Sequence, residues 1–177
     1  MDTVNYIFQK KNYNSYQCGA YAIYNALQTD IRHDIKLNNT VKLNNTVKLN
    51  NTVKLKYLIK KCKAQKGIGT LVSDFNSTLE SININIKPVE ATLENIKRVF
   101  ATDGQAPLIL FHWTQGAQQG NHYALIDKMY YKYGSYSYRV INYSFDKPIN
   151  IISERELKSM LMPYKDEYFQ LPQLWSA

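Results

Sequence analysis

Residues 17–28 read Gln17-Cys18-Gly19-Ala20-Tyr21-Ala22-Ile23-Tyr24-Asn25-Ala26-Leu27-Gln28, and how this stretch folds decides how the rest of the chain is read. Ala20, Ile23, Tyr24 and Leu27 recur at the spacing that lines one side of a helix. An amphipathic helix is expected, with Cys18 in its first turn. A thiol there sits beside the positive end of the helix dipole and beside backbone N–H groups that have no partner within the helix. Those groups favour the thiolate over the thiol and can receive the oxyanion of a tetrahedral intermediate. Gly19 carries no side chain to crowd the attacked carbonyl.

Beyond the helix, residues 36–53 are three copies of Lys-Leu-Asn-Asn-Thr-Val, and the pattern runs on into Lys54 and Leu55. In extended chain every Leu and Val of the repeat falls on one face, because all lie at odd positions. Three copies are too few for a solenoid. Residues 36–54 are therefore read as an insertion, a loop or hairpin, within a single domain spanning 1–177. Leu55 to Ala64 reads as a helix ended near Gly67, and Thr70 to Leu79 as another with Leu71, Val72, Phe75 and Leu79 inward. The isoleucines at 82, 84 and 86 alternate, so Ser81 to Lys87 is expected as a strand. Thr92 can cap a helix to Phe100 that Gly104 closes. Pro107 to Trp113, His122 to Tyr131 and Tyr136 to Tyr143 read as strands, the last two joined by a turn at Gly134-Ser135. Ser153 followed by Glu156 is a capping box opening a helix to about Met162. Helices first and an antiparallel sheet after them is an α+β order.

The composition fits one folded domain. The 177 residues are 45% hydrophobic, enough for one core, and the 13% aromatic content includes 15 tyrosines, which suit surfaces that grip peptides. The formal charge is +8, and lysines gather only from Lys54 to Lys66. There Leu55, Leu58, Ile59 and Cys62 take the opposite side of the helix, so the lysines form a solvated face and no nucleic-acid partner is expected. No apolar run is long enough to span a bilayer, and Met1 leads straight into polar residues without the pattern of a signal peptide. The chain is expected in the cytoplasm, or exported by a route without a cleavable signal. Cys18 and Cys62 are expected to be reduced, and neither a metal nor another cofactor is expected.

A nucleophilic thiol needs an imidazole to take and return its proton. Of the three histidines, His33 lies between Arg32 and Asp34 in a charged linker, and His112 in Phe111-His112-Trp113 reads as a packed or edge-strand residue. His122 follows a polar loop, Gln115 to Gln119, and Gly120-Asn121, and opens a strand. On the next strand Tyr138-Arg139-Val140-Ile141-Asn142 ends in a polar residue. Hairpin register brings Asn142 close to His122, where an amide can hold the imidazole in one tautomer. Asp146 is the reserve for that role.

These motifs, Cys-Gly-Ala at a helix start, Asn-His-Tyr-Ala-Leu-Ile opening a strand and Val-Ile-Asn-Tyr-Ser-Phe closing the next, resemble the papain-like cysteine peptidases. Among these the chain is most similar to the bacteriocin leader (double-glycine) peptidase-like group, which has an acidic residue where this chain has Asn142. The resemblance implies a catalytic set of Cys18, His122 and Asn142. It also implies an upstream amide as oxyanion donor, for which Gln9 is preferred and Asn12 and Asn14 stay open. Asn-Ser-Tyr-Gln-Cys-Gly-Ala-Tyr is also similar to the cysteine motif of the ubiquitin-like-protein proteases, but in those the His and Asp precede the Cys, and here no His does. The implied function is a cysteine peptidase or amide hydrolase acting on a polypeptide through a thioester. The alternatives are a glutamine deamidase or transglutaminase effector on the same machinery, and a catalytically inactive protein-binding module.

Overall fold

The computed structural model describes residues 5–9, 16–30, 54–66, 69–102, 106–115, 118–162 and 170–176. The hexapeptide repeat, His33, Asn12, Asn14, Gly67 and Gly104 lie outside the described residues. Five helices are described, α1 (Cys18–Asp30), α2 (Leu55–Lys61), α3 (Val72–Ser81), α4 (Leu93–Thr102) and α5 (Glu154–Met160). Six strands accompany them: β1 (Val89–Glu90), β2 (Leu108–Gln115), β3 (Gln118–Lys132), β4 (Ser135–Ile141), β5 (Ile149–Ser153) and β6 (Gln173–Trp175). The strands make one antiparallel sheet in the order β1-β6-β2-β3-β4-β5, and the class is α+β.

Strand alternation divides the core into two halves. Leu108, Leu110, Tyr123, Leu125 and Ile141 cluster with Ala20, Ala22 and Ile23 of α1, Leu58 of α2 and Phe75 and Leu79 of α3. Ile109, Phe111, Ala124, Ile126, Tyr138 and Val140 cluster instead with Ile96 and Val99 of α4 and Leu157 of α5. The central strands β2 and β3 thus bury both sides over 108–111 and 123–126, which is why Leu108–Phe111 and Tyr123–Ile126 read as continuous apolar runs. On α2 the lysines at 54, 56, 60 and 61 are exposed opposite the buried Leu58.

Gly19 has a packing role different from the one expected of it. A Cβ there would stand 3.0 Å from Thr70 Oγ1, 3.1 Å from Thr70 Cβ and 3.2 Å from Phe75 Cδ2. Its absence lets α1 close on the segment leading into α3. Gly19→Ala is therefore expected to lower stability by about 1–3 kcal/mol, the usual effect of overpacking. Urea unfolding measures it, and a change under about 0.5 kcal/mol, the range of ordinary surface substitutions, would show that the contact yields freely.

Several boundaries differ from expectation for identifiable reasons. The strand expected over 81–87 does not form. Asn83 takes a positive φ of 62°, and Ile82 is buried while Ile84 and Ile86 pack against the core as extended chain without ladder partners. Alternation reports side-chain placement, not backbone pairing. The polar stretch before His122 is not a loop at its ends. Gln115 pairs with Gln118 and His112 with Asn121, so β2 and β3 continue as a hairpin and His122 lies inside a long strand. The β3–β4 turn falls on Tyr133 and Gly134, with φ of 52° and 78°, the paired positive values of a tight hairpin turn. Ser153 caps α5 by accepting from the Glu156 N–H at 3.1 Å. Thr92 does the same for α4 through the Asn95 N–H, also at 3.1 Å.

His112 is a structural residue. It is buried, and its Nδ1 and Nε2 lie 2.9 Å and 3.0 Å from the carbonyl oxygens of Met162 and Gln170.

Candidate functional site

The site begins at the N-terminus of α1. Gln17 O accepts from the N–H groups of Ala20 at 3.1 Å and Tyr21 at 3.3 Å, so Gln17 is the cap. Cys18 and Gly19 are the first helical residues, whose N–H groups the helix itself leaves over. Both turn toward the Cys18 thiol, and the N–H of Tyr123 on β3 joins them.

Sheet geometry explains the third donor. In an antiparallel ladder successive N–H groups point to alternate sides. Ile126 N–H bonds Pro107 O at 3.0 Å, on the β2 side, so the odd-numbered N–H groups of this stretch face β4. Leu125 meets Ile141 there, but β4 ends at that residue. Asn142 has a φ of 63°, a left-handed conformation that Asn adopts more readily than most residues, and it turns the chain away. The Asn142 and Tyr143 N–H groups bond Pro148 O at 2.7 Å and 3.2 Å, closing the turn into β5. The Tyr123 N–H lies beyond the end of β4 on that side and is turned to the Cys18 thiol.

His122 stands on the same strand, one residue before. Its ring packs edge-on to Phe111, its cross-strand partner, with centroids 5.4 Å apart. Nε2 lies 2.6 Å from the main-chain oxygen of Asn142. A carbonyl only accepts, so Nε2 carries the proton and Nδ1 is the basic nitrogen. The Asn142 side chain is engaged elsewhere, its Nδ2 donating to Gln9 Oε1 at 3.0 Å. Gln9, His122 and Asn142 are thus joined in one buried hydrogen-bonded chain, next to the strand that Cys18 touches. Asp146 is exposed on the turn after β4.

Two features differ from the sequence expectation. The group that fixes the imidazole is the main chain of residue 142, not its amide, because the positive φ swings the carbonyl toward the ring. The second concerns the thiol. Among the described residues no hydrogen bond joins Cys18 to His122, and Cys18 is only 4% exposed. By strand alternation Tyr123 shares the α1 side of the sheet while His122 issues from the other. Sequence order could not reveal the role of the Tyr123 N–H, which depends on where β4 stops.

Burial dominates the protonation of both groups. It pushes the Cys18 thiol from its ordinary 9.0 up to about 11, against the lowering effect of the three N–H groups. It also pushes His122 from 6.5 down to about 4, against the raising effect of the Asn142 carbonyl. The resting pair is a neutral thiol and a neutral imidazole. Cys62 is likewise free and buried, its thiol pushed up to about 12 by burial against the Thr78 and Thr70 hydroxyls. These shifts set a stability profile. An unfolded His takes its proton near 6.5 and the folded one only near 4, so stability present above pH 6.5 is lost as pH falls to 4. At about 1.4 kcal/mol per pH unit the loss is about 3 kcal/mol. The raised thiols act in the opposite sense, losing stability as pH climbs past 9. Denaturant unfolding from pH 4 to 8 is expected to show the acid limb flattened in His122→Gln. Limbs of equal slope in the two proteins would mean that His122 titrates normally.

Among the described residues no cluster of His, Cys, Asp and Glu could hold a metal ion, and no helix is long and apolar enough to cross a membrane. No family model, curated protein or solved structure matches the chain.

Proposed function

We propose that the chain is a papain-like thiol hydrolase acting on polypeptides, with Cys18 as nucleophile, His122 Nδ1 as base and the Asn142 corner holding the imidazole. The observation that carries this reading is that the Cys18 thiol and the His122 ring are held at consecutive residues of one strand, the thiol by the Tyr123 N–H and the ring by the Asn142 carbonyl. The α1 N-terminus brings the thiol, β3 brings an imidazole in a fixed tautomer, and backbone N–H groups surround the sulfur.

In this mechanism Cys18 passes its proton to His122 Nδ1 as its sulfur attacks the substrate carbonyl carbon. The tetrahedral oxyanion is received by N–H groups of the α1 terminus, with Gln9 as the side-chain donor. Collapse expels the amine, which takes the proton back from His122, and leaves a thioester. Water then attacks with the same base and frees the thiol. The initial pair is uncharged, so the proton moves during attack and not before it.

A specific observation favours a second reading, a binding module without catalysis, namely the burial of Cys18 and its lack of a hydrogen bond to His122. Incubation with a mixed peptide library followed by mass spectrometry separates the possibilities. New chain ends support the peptidase, an amide turned to acid marks a deamidase, and an added amine marks a transglutaminase. Each must vanish in Cys18→Ala. No change with any peptide, by a folded protein, leaves the binding module.

A further inference from the structure

Residues 5–9 belong to no helix or strand, yet they lead directly into the site. Three polar clips fix them. Tyr6 Oη donates to Asp127 Oδ2 at 2.7 Å, and Arg139 Nε donates to Asp127 Oδ1, also at 2.7 Å, with its Nη2 on Oδ2. At the next residue the Ile7 N–H donates to Asn25 Oδ1 at 3.0 Å, while Asn25 Nδ2 donates to Ile7 O at 2.9 Å. The third clip is the bond from Asn142 Nδ2 to Gln9 Oε1.

Asn25 is the member that packing does not explain. It is fully buried, at 0% exposure, on α1, among apolar neighbours of the same helix. A carboxamide in such a place is unfavourable unless its hydrogen bonds are made, and a leucine would suit packing better. Its amide instead pairs with both polar groups of Ile7, as a neighbouring strand would. Two residues further the chain presents Gln9 to Asn142, whose carbonyl holds His122. The helix that carries Cys18 is therefore linked to the corner that holds the imidazole through side-chain amides and a short length of strap.

We propose that Asn25 is a positioning residue, which sets the register between the Cys18 helix and the His122–Asn142 corner by way of Ile7 and Gln9. Its catalytic meaning rests on the hydrolase reading above; its geometry does not. A purely structural residue would add stability and leave the imidazole alone. A positioning residue controls the state of the ring.

The test is nitrogen NMR of the His122 ring in the full chain, with thermal unfolding alongside. The parent is expected to show one tautomer, protonated at Nε2. In Asn25→Leu, which breaks both bonds to Ile7, a tautomer mixture is expected, with the His122 titration midpoint rising by a unit or more while unfolding stays cooperative. A less stable Asn25→Leu with the parent's tautomer and midpoint overturns the proposal. If Asn25→Leu does not fold, Asn25→Ala serves, since it likewise removes both bonds to Ile7 without adding bulk, and the same outcomes apply. If the parent never acylates at Cys18 but His122 still responds to Asn25, the hydrolase reading fails and the positioning role stands.

Discussion

Replacing His122 by glutamine is expected to slow acylation of Cys18 by about two to four orders of magnitude, the range of general-base catalysis. The size follows from the state of the thiol. Burial holds it near 11, so at neutral pH the sulfur is almost wholly protonated and cannot attack without a base. His122 Nδ1 is suited to that task because Nε2 is committed to the Asn142 carbonyl. Glutamine can keep a donor toward that carbonyl and fill much of the space beside Phe111, but it supplies no base. Stopped-flow acylation by an activated peptide ester measures the effect. An unchanged rate in a folded His122→Gln protein would remove the imidazole from the mechanism.

The second large effect is in the pH dependence of the resting thiol. Alkylation of Cys18 by iodoacetamide should rise about tenfold per pH unit from neutrality and bend only near pH 11, because only the thiolate reacts. Across pH 7 to 10 that is roughly a thousandfold. The sign is set by burial, which opposes ionisation more than the N–H groups of Cys18, Gly19 and Tyr123 support it. A Cys62→Ala background removes the other thiol. A preformed thiolate–imidazolium pair would instead give a flat, fast rate from acid pH upward, and that profile would contradict a neutral resting site.

Much of this was legible in the sequence, for physical reasons that can be named. The α1 helix, the Ser153 cap and the β3–β4 hairpin follow from local periodicity and turn chemistry, which the chain satisfies without distant help. The nearness of His122 and Asn142 followed from register alone. The main-chain contact did not, because it depends on the positive φ at Asn142, which is compatible with its residue type but not required by it. β5 and β6 were missed, as a five-residue and a three-residue strand carry little periodicity and are defined by partners far along the chain. The packing role of Gly19 was not legible because Thr70 and Phe75 are its neighbours only in the folded molecule. Nothing in the sequence singles out Asn25. Its partner, Ile7, presents only backbone, which no side-chain pattern reveals.

The central claim is that Cys18 attacks carbonyl carbon with His122 as its base, and trapping the acyl-enzyme tests it most directly. The protein is mixed with a peptidyl ester of good leaving group, quenched in acid and mapped by mass spectrometry, beside Cys18→Ala and His122→Gln. One acyl group on the Cys18 peptide is expected in the parent, none in Cys18→Ala, and a far slower adduct in His122→Gln. An adduct on Cys62, or one on Cys18 that forms equally fast without His122, would contradict the account.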